Sequence, residues 1–178
     1  MPGPVFLHSH LITLRTVEEE DLDFLQENIN DPSVWRAIGS SSPINAPQER
    51  EYFENIVCND EEVNLLVAVD DAPAGMVTLS PNPDESDAAE LGYWIASEYR
   101  QQGYGRDAAR LVTNYGFQQL GLHRISARVF AFNDASQALL ESIGFVKEGI
   151  NREAVYVDGR YWDTYWYSML ASEWDRTE

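Results

Sequence analysis

Apolar and polar positions alternate in some stretches of this 178-residue chain and recur at helical spacing in others. The switches between the two periods mark its elements. Leu11 to Arg15 alternates and predicts a first strand. Thr16-Val-Glu-Glu19 has the residue types of a capping box, opening a helix with Leu22, Leu25 and Ile29 on one stripe. The Ser- and Pro-rich stretch from Asp31 to Ile44 reads as a loop with a helical turn around Trp35. Asn45-Ala-Pro-Gln48 is a second capping signal, and Tyr52, Phe53, Ile56 and Val57 form the buried stripe of that helix. Strands follow at Asn64 to Val69 and Gly75 to Leu79, turning at Asp70-Asp-Ala-Pro73. The polar loop Pro81 to Asp87 leads into another at Ala89 to Ile95.

A long helix runs from about Gly105 to Leu120 and stops at Gly121. Ile125, Ala127 and Val129 alternate as a strand, and Asn133 or Asp134 caps a short helix ending at Gly144. Phe145 to Leu170 reads as two strands joined at Asp158-Gly159. The order β-α-α-β-β-β-α-β-α-β-β predicts a mixed α/β (α+β) sheet, not a doubly wound parallel one. No repeat or linker interrupts it, so one domain over 1–178, with its core at about 10–172, is expected.

Composition narrows the function. Hydrophobic residues make up 44%, with 7 Phe, 5 Trp and 9 Tyr, enough for a packed core and against global disorder. Twelve Lys+Arg face 30 Asp+Glu, a formal net charge of −18 that repels a nucleic-acid backbone. The single cysteine, Cys58, excludes an internal disulfide or a cysteine metal cluster, and His8, His10 and His123 lack metal-ligand spacing. No long apolar run crosses a membrane, so a cytoplasmic protein without metal or nucleic acid is expected.

The acidity itself has two readings, a cationic substrate such as a polyamine or a halophilic cell. Lys147 is the only lysine, which favours the second, because a polyamine pocket gives no reason to remove lysine everywhere.

The chemistry concentrates between Glu90 and Arg106, where a strand, a turn with Gly103 and Gly105, and a helix follow one another. Glycines admit a ligand close to the backbone, and the unpaired amides of a helix start form an anion site. Arg100 and Arg106 add positive charge there. Position 106 breaks a dinucleotide fingerprint, and a Walker loop lacks its lysine.

Arg100-x-x-Gly103-x-Gly105 resembles the Q/R-x-x-G-x-G/A motif of the GNAT superfamily of acetyl-CoA-dependent N-acetyltransferases. Asn133-x-x-Ser136 with Gly144-Phe145 resembles its second landmark. Together with Glu90-Leu-Gly-Tyr-Trp and Asp158-Gly, these residues look most like the Rim-type branch, which includes ribosomal-protein N-terminal acetyltransferases.

The resemblance implies a mostly antiparallel seven-stranded sheet with about four helices and a splayed strand pair that holds acetyl-CoA. Carried over, backbone groups near Trp94 and Ile95 bond the pantetheine arm, and Asn133 contacts it. Amides of Gln101, Gln102, Gly103, Tyr104, Gly105 and Arg106 hold the pyrophosphate, with Arg100 beside them.

Many members place a tyrosine proton donor where this chain has Leu140, but Rim-type enzymes carry a serine where Ser136 stands, and the resemblance implies Ser136 as the donor or thiolate-stabilising hydroxyl. Glu90 becomes the general base through water. Trp35 and Tyr165 are the acceptor-side candidates. The acceptor class implied is a protein N-terminus, with a polyamine or antibiotic amine, or a CoA-binding module without catalysis, as alternatives. The aromatic C-terminal hairpin fits a monomer or a homodimer equally.

Overall fold

Two acidic turns fold the chain back on itself. Asp70 and Asp71 take positive φ (48° and 65°), as do Asp158 (51°) and Gly159 (83°). These are the backbones of two-residue hairpin turns, whose twist matches that of the strands they join. The computed structural model describes residues 3–59 and 61–174. Its strands are β1 (Val5–His8), β2 (Thr13–Thr16), β3 (Val63–Val69), β4 (Ala72–Pro81), β5 (Ala88–Ile95), β6 (Arg124–Phe130), β7 (Val146–Val157) and β8 (Arg160–Leu170). The helices are α1 (Leu22–Ile29), α2 (Pro32–Ile38), α3 (Ala46–Tyr52), α4 (Tyr104–Gln118) and α5 (Asp134–Ser142). The strands form one sheet in the order β1-β2-β3-β4-β5-β6-β8-β7. Among the described residues only β5 and β6 run parallel.

The mixed sheet is as expected, but among the described residues it has eight strands instead of seven, with five α-helices instead of about four. The extra strand is β1, four residues folded back on β2 and bulged between Val5 and Leu7. The extra helix is α2. Asp31 accepts the Ser33 amide (2.8 Å) and Pro32 takes a first-turn position that needs no N–H donor. The first predicted cap also moves. Thr16 Oγ1 donates to Glu18 Oε1 (2.7 Å), and the Asp21 carboxylate accepts the Glu18 amide (2.9 Å), so helical structure begins only at Glu19. The second cap forms as predicted, with Asn45 and Gln48 exchanging two 3.0 Å bonds. Behind it, Phe53–Val57 widens into a π turn, and Tyr52 stands 40% exposed, off the stripe assigned to it.

The sheet buries both faces. On one, Leu79, Leu91, Ile125 and Val129 join the core with Val112 of α4 and Leu140 of α5. On the other, Leu66 and Met76 pack with Leu22 and Leu25. Among the described residues no helix is long and apolar enough to cross a membrane.

Candidate active site

β5 has two different edges. Against β4 it pairs from Pro81↔Ala89 to Gly75↔Ile95. Against β6 it pairs only from Ala88↔Arg124 to Glu90↔Ser126, and beyond Glu90 the strands part. The Ala96 amide donates to Ala74 O, and the Asn82 amide to Ala88 O. Antiparallel bonds recur at every second residue, so Ala88, Glu90, Gly92 and Trp94 direct their backbone groups to β4. Leu91, Tyr93 and Ile95 turn theirs into the gap. The Trp94 backbone, expected to bond the pantetheine arm, faces β4 instead, and its ring lines the cavity and stacks on Phe24 (5.8 Å between centroids). The open backbone groups beside it are those of Tyr93 and Ile95.

The gap leads to the start of α4. Gln101 (φ 61°) and Gly103 (φ 86°) bend the chain so that α4 begins with no side chain capping it. Its first intrahelical bond is Asp107 N to Gly103 O (3.0 Å), leaving the amides of Tyr104, Gly105 and Arg106 directed outward. Close packing favours glycine at 105, and the positive φ favours it at 103. A Cβ at Gly105 would lie 3.2 Å from Ile95, whereas one at Gly103 would meet nothing within 4 Å.

Arg106 reaches across to Ser142 Oγ (3.2 Å) and stays exposed beside these amides. Gln102 donates to Glu98 O and accepts from the Tyr104 hydroxyl (3.3 Å each). Arg100 does something else. It donates to Ile95 O (2.8 Å) and Ser33 O (3.3 Å), tying the end of β5 to α2 while its charge stays at the cavity wall. An unpaired strand edge running into uncapped helix amides is the donor set that an extended amide arm ending in a diphosphate needs.

A cavity of about 840 Å³ opens through the sheet at this gap. Glu90, Tyr93, Asn133 and Ser136 all line it. Alternation puts Glu90 and Trp94 on the α1 face and Tyr93 and Ile95 on the α5 face. Glu90 and Ser136 therefore face the cavity from opposite sides of the sheet. Glu90 Oε1 accepts from Arg128 Nε (2.6 Å), and the Arg128 guanidinium lies 5.5 Å from the Trp166 ring centroid. Across the gap, Asn133 Oδ1 caps α5 by accepting the Ser136 amide (3.2 Å). Ser136 Oγ lies 2.7 Å from the Tyr93 hydroxyl. Burial pushes the Tyr93 phenol up to about 12, against a smaller downward pull from its bond to Ser136. Leu140, fully buried, lends the cavity only an apolar wall.

Two sequence candidates stand elsewhere. Trp35 is not in the cavity wall, because Val34, Ala37 and Ile38 form the helical face of α2 that lines it. Trp35 sits off that face with Arg36 over its ring at 5.0 Å. Tyr165 lies under Lys147 (3.7 Å) on the core side, and strand alternation puts Trp166 on the Glu90 face instead. Sequence reasoning missed Tyr93 and Arg128. Tyr93 stood inside the segment already singled out, and Arg128 is one of the polar residues, with Arg124 and Ser126, that alternate with Ile125, Ala127 and Val129. Among the described residues no group of acids, histidines and cysteine could hold a metal ion.

The acetyltransferase (GNAT) domain model matches residues 12–146. A Bacillus subtilis (strain 168) protein named "Putative ribosomal N-acetyltransferase YdaF" is 32% identical over 173 residues, 92% of this chain and 93% of its own. The spermidine N-acetyltransferase of Vibrio cholerae, solved with CoA and spermine, superposes with a TM-score of 0.85 at 26% identity, over 93% of this chain and 98% of its own. RimL, a ribosomal L7/L12 α-N-protein acetyltransferase solved with CoA, shares the fold (TM-score 0.83, 19% identity, 94% and 98% covered).

Proposed function

Because this chain belongs to the GNAT family of N-acetyltransferases and uses acetyl-CoA as cosubstrate, we propose that it acetylates a protein N-terminal α-amine. Family membership sets aside the reading as a non-catalytic CoA-binding module. The observation that carries the acceptor class is the Arg128–Glu90 pair at the cavity (2.6 Å). The Arg128 guanidinium, paired to Glu90, already holds the cationic place at this carboxylate that the second ammonium of a polyamine would need. It leaves a peptide unpenalised, because the groups behind an α-amine are carbonyls. Chemistry favours the same acceptor. An α-amine near pKa 8 is about 2.4 units easier to deprotonate than a lysine amine, roughly 3.3 kcal/mol, so a water-relayed carboxylate suffices.

Glu90 takes the amine proton through water as the new C–N bond forms. Ser136 donates a hydrogen bond to the thiolate as the C–S bond breaks. Backbone groups of Tyr93 and Ile95, the amides from Gln101 to Arg106, the Arg100 strap and Asn133 hold the thioester in place. Thiol release with a panel of N-terminal peptides, spermidine and aminoglycosides tests the acceptor. Turnover confined to peptides supports the reading, and turnover confined to spermidine overturns it.

A polyamine acceptor is the second reading, favoured by the likeness to the Vibrio cholerae enzyme and by the charge of −18. The charge and the lone lysine fit a salt-rich cytoplasm better, since long-range steering fades at a Debye length of about 3 Å in 1 M salt. Activity that persists in about 1 M KCl checks this. For assembly we propose a homodimer at the outer edge of β7, where Val146 and Ile150 stand exposed, to be checked by light scattering.

A further inference from the structure

Ser136 is the one hydroxyl that α5 presents to the cavity, and a serine hydroxyl rotates freely unless something fixes it. Tyr93 reaches it from β5, across 43 residues of sequence, at 2.7 Å. Of the two hydroxyls the phenol is the stronger acid and the better donor. Its other acceptor, Ser136 O, is 3.5 Å away and cannot compete. The Ser136 amide is already held by Asn133.

We propose that Tyr93 is a positioning residue for acetyl transfer: it donates to Ser136 Oγ and so turns the serine's own hydrogen into the gap, toward the departing thiolate. The proposal rests on the assignment of Ser136 to that thiolate. Two features of the site agree with it. Leu140 offers no hydroxyl of its own. The Tyr93 ring packs against the main core, so its geometry is set before any substrate arrives.

A double-mutant cycle in kcat tests the proposal. Tyr93→Phe keeps the ring and removes the hydroxyl, and kcat is expected to fall about tenfold with acetyl-CoA affinity unchanged. Ser136→Ala is expected to fall further, and adding Tyr93→Phe to it should cost nothing more. Equal losses from Tyr93→Phe in both backgrounds would overturn the proposal, as would a loss confined to acetyl-CoA affinity. If Ser136→Ala is slow while Tyr93→Phe turns over at the wild-type rate, Tyr93 has no such role and the Ser136 assignment survives. A Ser136→Ala variant at the wild-type rate removes both.

Discussion

The two edges of β5 are made by the same eight residues and meet opposite fates. One edge is paired with β4 along its whole length, while the other leaves β6 after Glu90. The closed edge fixes where every side chain of β5 points. The open edge leaves main-chain donors and acceptors for a ligand. The rigidity of the first makes the second usable, because an unpaired strand keeps its shape only when its other side is anchored.

The strongest way to break this contrast is to fill the open side. A Gly103→Glu, Gly105→Glu pair puts two carboxylates among the α4 amides, and acetyl-CoA affinity by calorimetry should fall at least about a hundredfold. Undiminished affinity would sink the assignment of the gap and α4 start to the cofactor. Glu90→Gln acts on the closed edge's chemistry. It should lower kcat about a hundredfold and leave acetyl-CoA affinity alone, separating base from cradle.

Arg128→Gln is a smaller perturbation. It should reduce the preference for a peptide over spermidine, read as the ratio of kcat/KM, by about tenfold. An unchanged ratio removes the guanidinium from acceptor choice. The least effect is on alkaline stability. Tyr93 titrates near 10 when unfolded and at about 12 when folded, so its contribution is complete below pH 10 and is lost as pH rises toward 12. Burial, reinforced by the Glu141 carboxylate, raises Tyr167 as well. In Tyr93→Phe, urea unfolding between pH 10 and 12 should show a shallower decline than in the wild type, with the Tyr167 share remaining.

The punctuation of the chain was legible: the turns at Asp70 and Asp158, the Asn45 and Asn133 caps, and Gly103 and Gly121 around the long helix all sit where local rules put them. Each is decided by residues next to one another. β1 was not legible, since Val5 and Phe6 are about half exposed and the strand exists only through β2. Helix α2 hid behind a Ser/Pro composition, although Asp31-Pro32-Ser33 carries a capping signal. The site divides the same way. Glu90, Ser136 and Asn133 were found from motifs and do line the cavity. Trp35 was named for the acceptor side within a single helical turn, and the full helix that forms there turns Val34, Ala37 and Ile38 to the cavity instead. Tyr93 and Arg128 matter only for what they meet in space, Ser136 and Glu90, and no local pattern announces that.

The parting of β5 from β6 also bears on how long the protein lasts. On the reading proposed above, acetyl-CoA lies along the open edge of β5 and would serve the sheet as a structural member as much as a reactant. A ligand bound at 100 times its Kd adds about 2.7 kcal/mol to the folded state. If CoA binds there, the survival of this enzyme against heat and proteolysis is expected to follow the abundance of CoA around it. A shortage of acetyl donor would thin the enzyme population as well as slow each molecule.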